Sequence, residues 1–175
     1  MSRRPMADGT ERHNMRTVLF VCAYNATRSI MAEALLNHLG RGRFRALSAG
    51  ENTSGAVHPL TFECLAAHGI PTPGLHSKTW WRYIGLGAPP IDLIITVCDD
   101  SKEDMSQQWC HAPLKAHWGT TNPAALRGTD EEIRCAFKST FDVLRRRVEA
   151  FVQLPLDSLN RTAQWSEVMR VGEIH

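Results

Sequence analysis

A cysteine at position 22 is followed six residues later by an arginine, within the string C-A-Y-N-A-T-R-S over residues 22–29. If that string leaves a buried strand and enters a helix, its backbone N–H groups can turn inward and form a concave site for a tetrahedral oxyanion, reinforced by the helix dipole. Ala23, Tyr24, Asn25, Ala26, Thr27 and Arg28 would line it. The small Ala23 and Ala26 allow close backbone approach, and the planar fork of Arg28 can clamp two oxygens at once. The same amides and cation lower a cysteine pKa from about 8.5 into a range of roughly 3.5–7.5, which would make Cys22 a nucleophile near neutrality. Ser29 can donate a further hydrogen bond to the sulfur. Asn25 tolerates left-handed backbone angles and can hold the bend with its side chain. The plainer alternative is that Cys22 ends a buried strand as a small apolar residue.

The flanking segments have the patterns such a site requires. Residues 17–21 (TVLFV) are apolar and β-branched and read as a buried strand ending at Cys22. Residues 29–39 follow with apolar positions at helical spacing and Gly40 as stop. Residues 43–48 read as a second strand closed by Ala49 and Gly50, residues 58–68 as a helix ended by Gly69, and residues 91–97 (IDLIITV) as the clearest and most central strand. A short run over residues 115–118 follows a loop. Residues 130–154 form a long amphipathic helix with Asp130, Glu131 and Glu132 at its positive end. Strands alternating with helices predict an α/β fold, a doubly wound, mostly parallel four-stranded sheet in a single domain with helices on both faces. Beyond Pro155 the pattern allows either a short packed helix or a partner surface.

Bulk properties narrow the function classes. A chain of 175 residues with 43% hydrophobic content suffices for one packed core. Residues 1–15 are polar and read as a disordered tail, so the domain spans residues 16–175. No stretch has the roughly 20 apolar residues of a membrane helix, and five cysteines without pair spacing do not suggest a disulfide framework. A cytoplasmic location and no membrane partner are expected. The net charge of +2 is spread among acidic residues, and Arg145, Arg146 and Arg147 read as a solvated helix face, so nucleic-acid binding is not expected. Trp80, Trp81 and Tyr83 either line the mouth of the site or form partial core.

From Arg16 onward the chain resembles the low-molecular-weight tyrosine phosphatase superfamily, and within it the arsenate reductase branch. The resemblance rests on VLFVCAYNATRS, LSAG at residues 47–50, VHPL at 57–60, HSKTW at 76–80, TVCDD at 96–100 and AHWG at 116–119. It implies that Cys22 attacks arsenate, that a second thiol captures the sulfur as arsenite leaves, and that glutathione with glutaredoxin, or thioredoxin, restores the enzyme. Cys98 in TVCDD matches the second thiol. Relatives often carry a further cysteine where Ser106 stands, and Cys110, four residues on, can serve instead. Cys64 and Cys135 fall on helices and read as core or neutral surface.

Some relatives hold a potassium ion beside the loop through Asn, Glu, Ser and Asp. Asn25, Glu33 and Ser48 match, while Lys78 takes the Asp position and its ammonium can replace the cation, so no metal is expected. Where relatives carry an Asp-Pro pair whose Asp is the general acid, this chain reads Asn122-Pro123. An amide transfers no proton, and acid catalysis is worth about 10²–10⁴ in rate. Asp99, Asp100 or water would have to substitute. The loss favours reduction of arsenate over hydrolysis of phosphate esters. The alternatives are a tyrosine-phosphatase-like hydrolase and a protein that only binds phosphate or arsenate. No tightly bound cofactor is expected, and a monomer or weak homodimer is.

Overall fold

The computed structural model describes residues 15–53, 55–99 and 113–175. Four strands, β1 (Arg16–Cys22), β2 (Phe44–Gly50), β3 (Leu93–Cys98) and β4 (Leu114–Thr120), form one fully parallel sheet in the order β2-β1-β3-β4. Four α-helices, α1 (Arg28–Leu39), α2 (Pro59–Ala67), α3 (Asp130–Val152) and α4 (Arg161–Val171), connect or follow them. Among the described residues no helix is long and apolar enough to cross a membrane. The tail expected over residues 1–15 lies, apart from Met15, outside the described residues, as do Asp100, Ser106 and Cys110.

Parallel strands buried on both faces need near-continuous apolar runs, and β1 and β3 provide them at the two interior positions. One sheet face, with Val18, Phe20, Ile95 and Trp118, packs against buried residues of α1, α3 and α4, and α2 adds Leu65 to the same core. The other, with Leu19, Val21, Ala49 and Ile94, is covered by Trp80 and Tyr83 from a 3-10 helix, Trp80–Tyr83. Both aromatics are therefore core, whereas Trp81 between them is 65% exposed and stacks on Trp80.

At their C-terminal ends the strands run one or two residues beyond the sequence pattern, while β2 and β3 start later than it predicts. β2 runs through Ala49 to Gly50, because Gly50 pairs with Cys22 and bridges Thr79. α3 starts as expected, with a capping box in which Thr129 Oγ1 accepts from the Glu132 amide and the Glu132 carboxylate accepts from the Thr129 amide. The segment after Pro155 resolves into a 3-10 turn, Leu156–Ser158, and α4, which docks on β4 through Trp118 Nε1 donating to Val168 O at 2.9 Å.

One expectation is overturned. Arg145 and Arg146 face solvent, but Arg147 is 2% exposed, and its guanidinium donates to the carbonyls of Trp118, Gly119 and Ile174. Helical spacing turns the third arginine toward peptide oxygens at the C-terminal end of β4.

Candidate active site

The chain leaves β1 at Cys22, runs through an irregular loop and enters α1 at Arg28, so the first turn of α1 directs its amides toward the loop. Asn25 stands in the left-handed region at φ 48°, the one described non-glycine residue to do so. That bend brings its backbone N–H within 3.2 Å of Cys22 Sγ. The Asn25 side chain holds it there: Nδ2 donates to Ser29 Oγ at 2.8 Å and to Ser48 Oγ at 2.9 Å, and Oδ1 accepts from the Lys78 amide at 2.7 Å.

Ser29 Oγ lies 2.8 Å from Cys22 Sγ. Because the Asn25 amide already fills an acceptor site on that hydroxyl, its proton is available to a thiolate. Cys22, Asn25, Thr27, Arg28 and Ser29 are all buried, while Tyr24 is 52% exposed at the outer edge. Arg28 Nη1 donates to Thr120 O at 2.8 Å, which leaves its other N–H groups for an anion. The underside of the loop is pinned at Ala26 O, which accepts from the His58 amide and the Thr61 hydroxyl.

Behind Asn25, the Lys78 ammonium lies 3.1 Å from Glu33 Oε2, 3.1 Å from Ser48 Oγ and 2.8 Å from His76 O. Ser48 also donates to Glu33. The donors thus diverge from Asn25: it donates to Ser48, which with Lys78 satisfies the buried carboxylate, and to Ser29, which faces the sulfur. Gly50 is required at the edge of this network, since a Cβ there would stand 2.8 Å from the Asn25 nitrogen and 2.9 Å from the Tyr24 carbonyl carbon.

Cys98 ends β3, is completely buried and pairs with Thr120 beyond an irregularity that shifts the β3–β4 register after Thr96. β1 and β3 are hydrogen-bonded neighbours, so about 4.8 Å separates the chains that end in Cys22 and Cys98. Asn122 caps the 3-10 turn Pro123–Ala125, with Oδ1 accepting from the Ala124 amide at 3.1 Å. Cys64 is half-buried on α2, where burial, helped by Asp142 and opposed by Lys138, pushes its thiol up to about 11, and Cys135 is exposed on α3.

Thr120 and Thr61 carry no signal in the sequence, and Arg147 reads there only as one of three solvated arginines. Thr120 accepts from Arg28 through its carbonyl and donates through its hydroxyl to Val97 O at 2.6 Å, joining β4 to the strand end that carries Cys98. No local signal marks these residues, because each acts on a segment distant in sequence. His58 was visible only within the VHPL string.

The chain is similar to known proteins over most of its length. An arsenate reductase of Bacillus licheniformis is 30% identical over 139 residues, 79% of this chain and 96% of that protein. A glutaredoxin arsenate reductase of Synechocystis is 26% identical over 79% of this chain and 97% of its own. The crystal structure of an arsenate reductase from Archaeoglobus fulgidus superposes with a TM-score of 0.63 at 28% identity, covering 78% of this chain and 99% of that one. The family model for low molecular weight phosphotyrosine protein phosphatase matches residues 17–164, and the chain belongs to that family.

Proposed function

We propose that the protein is a thiol-dependent arsenate reductase. The observation that carries the reading is the convergence of donors on Cys22 Sγ, from the Asn25 amide and the Ser29 hydroxyl, in a loop closed by Arg28. The loop amides and the free N–H groups of Arg28 hold the oxyanion while the Cys22 thiolate attacks arsenic, and one oxygen departs as water after taking up a proton. A second thiolate then attacks Cys22 Sγ. A disulfide forms, the S–As bonding pair stays on arsenic, and arsenite leaves as arsenic(III). The two electrons come from the two sulfurs, and two external thiols, or one dithiol, return them as they form a disulfide in turn.

Cys98, at the end of the neighbouring strand, is the second thiol in this reading, with glutathione or a glutaredoxin or thioredoxin as the final reductant. Cys110, outside the described residues, is the candidate for a further relay. Asn122, with its carboxamide engaged by Ala124, supplies no proton to the leaving oxygen, which favours arsenate over poor phosphate-ester leaving groups.

The test is arsenate-dependent NADPH oxidation by the purified protein in parallel glutathione/glutaredoxin and thioredoxin systems, comparing wild type with Cys22→Ser and Cys98→Ser. Turnover by wild type that disappears in both variants supports the relay, and the active recycling system names the reductant. Absence of turnover in both systems, with Arg28-dependent arsenate or phosphate binding retained, sinks the enzyme reading and leaves an oxyanion-binding protein.

A further inference from the structure

A polar cavity of about 350 Å³ opens between the C-terminal ends of β3 and β4 and the second half of α3. Its volume falls within the range of small-molecule sites, about 300–1,000 Å³. Arg147, Thr120 and Thr140 form a buried floor, and Asp99, Thr121, Ser139 and the titratable His175 an exposed rim.

The charges in it are unusual. Arg147 Nε donates to Ile174 O at 2.9 Å, and Nη1 to Trp118 O at 3.0 Å and Gly119 O at 3.1 Å, whereas Nη2 has no hydrogen-bond partner among the described residues. Burial lowers the guanidinium pKa and the negative charge of Asp99 opposes that shift, yet no ion pair within 4 Å joins the two among the described residues. The Asp99 carboxylate rests against Gly119, in the space a Cβ there would fill. A buried cation with a spare donor and a rim carboxylate therefore share one cavity without touching.

We propose that this cavity binds the amino-acid end of a γ-glutamyl thiol of the glutathione class, with the α-carboxylate on Arg147 Nη2 and the α-ammonium on Asp99. A simple anion would have to sit beside Asp99 and a simple cation beside the buried guanidinium; a zwitterion satisfies both. The location fits a reductant. Asp99 directly follows Cys98, and Thr120 in the floor is the residue whose carbonyl accepts from Arg28. The inference rests on the reductase reading and specifies where its small thiol sits.

The experiment titrates the full chain with S-methylglutathione, which keeps both charged ends but cannot exchange, by calorimetry and by amide NMR. The expected result is saturable binding that shifts the Thr121, Ser139 and Thr140 amides. Binding should weaken at least tenfold in Ser139→Trp, which fills the mouth, in Asp99→Asn, and for N-acetylated S-methylglutathione. No binding, or binding indifferent to these changes, overturns the proposal. Arg147 is left intact because its carbonyl bonds hold the end of β4 and the segment after α4. Arsenate turnover by wild type with dithiothreitol separates the two readings: turnover without S-methylglutathione binding sinks the cavity alone, and binding without turnover sinks the reductase alone.

Discussion

Asn122 and Lys78 show how much depends on single functional groups. The Asn122 carboxamide caps a short turn through its oxygen, a bond a carboxylate would make equally well. Asn122→Asp should therefore fold normally and raise hydrolysis of an aryl phosphate by about 10²–10⁴ by restoring a proton donor; p-nitrophenyl phosphate assays check this. Lys78 neutralises Glu33 where the two side chains are only 5% and 10% exposed. Lys78→Met leaves that carboxylate buried and unpaired and should cost about 3–5 kcal/mol. The double variant Lys78→Met/Glu33→Gln should recover most of the loss, as read by urea unfolding.

One element meets the loop where backbone, not side chain, sets the limit. Gly50 at the end of β2 lets the strand approach Tyr24 and Asn25 more closely than any Cβ permits. Gly50→Ala should displace the Asn25 bend and weaken phosphate binding at least tenfold while the sheet still forms, a combination that calorimetry and far-UV circular dichroism would reveal together. The Thr129 capping box instead starts α3 through side chains, and Thr129→Ala should lose about 1 kcal/mol of stability with no change in oxyanion affinity.

Across the whole molecule, the buried acids outside the loop set the alkaline limit. Tyr83 is pushed from 10.0 up to about 12, first by burial and then by Glu33, and Cys64 from 9.0 up to about 11, first by burial and then by Asp142. Both groups hold their protons more tightly folded than unfolded. Their contribution is complete below the unfolded values and is lost as pH rises through the folded ones. Melting temperature should fall progressively between about pH 9 and pH 12. Cys64→Ala should flatten the lower part of that fall and Tyr83→Phe the upper part, measured by calorimetry across the range.

Periodicity and local chemistry made the strands at β1 and β3, the helix α1 and the Cys22-to-Arg28 string legible, since apolar runs, caps and loop residue types act on near neighbours in the chain. Sequence resemblance singled out Asn25, Glu33, Ser48 and Lys78, and Ser29 was visible as a donor to the sulfur. What only the tertiary structure decided are the partnerships across the sheet. Arg147 looked like one of three solvated arginines, yet helical geometry turns it onto peptide oxygens of β4. Thr120 carried no signal because its carbonyl gains meaning only when Arg28, 92 residues away, arrives beside it. The same holds for the fate of Trp80 and Trp81: identical side chains in adjacent positions, one placed in the core and one in solvent by the turn of a 3-10 helix against a sheet face. Burial and long-range hydrogen bonds belong to the packed chain, and a sequence pattern contains them only after packing has chosen which faces meet.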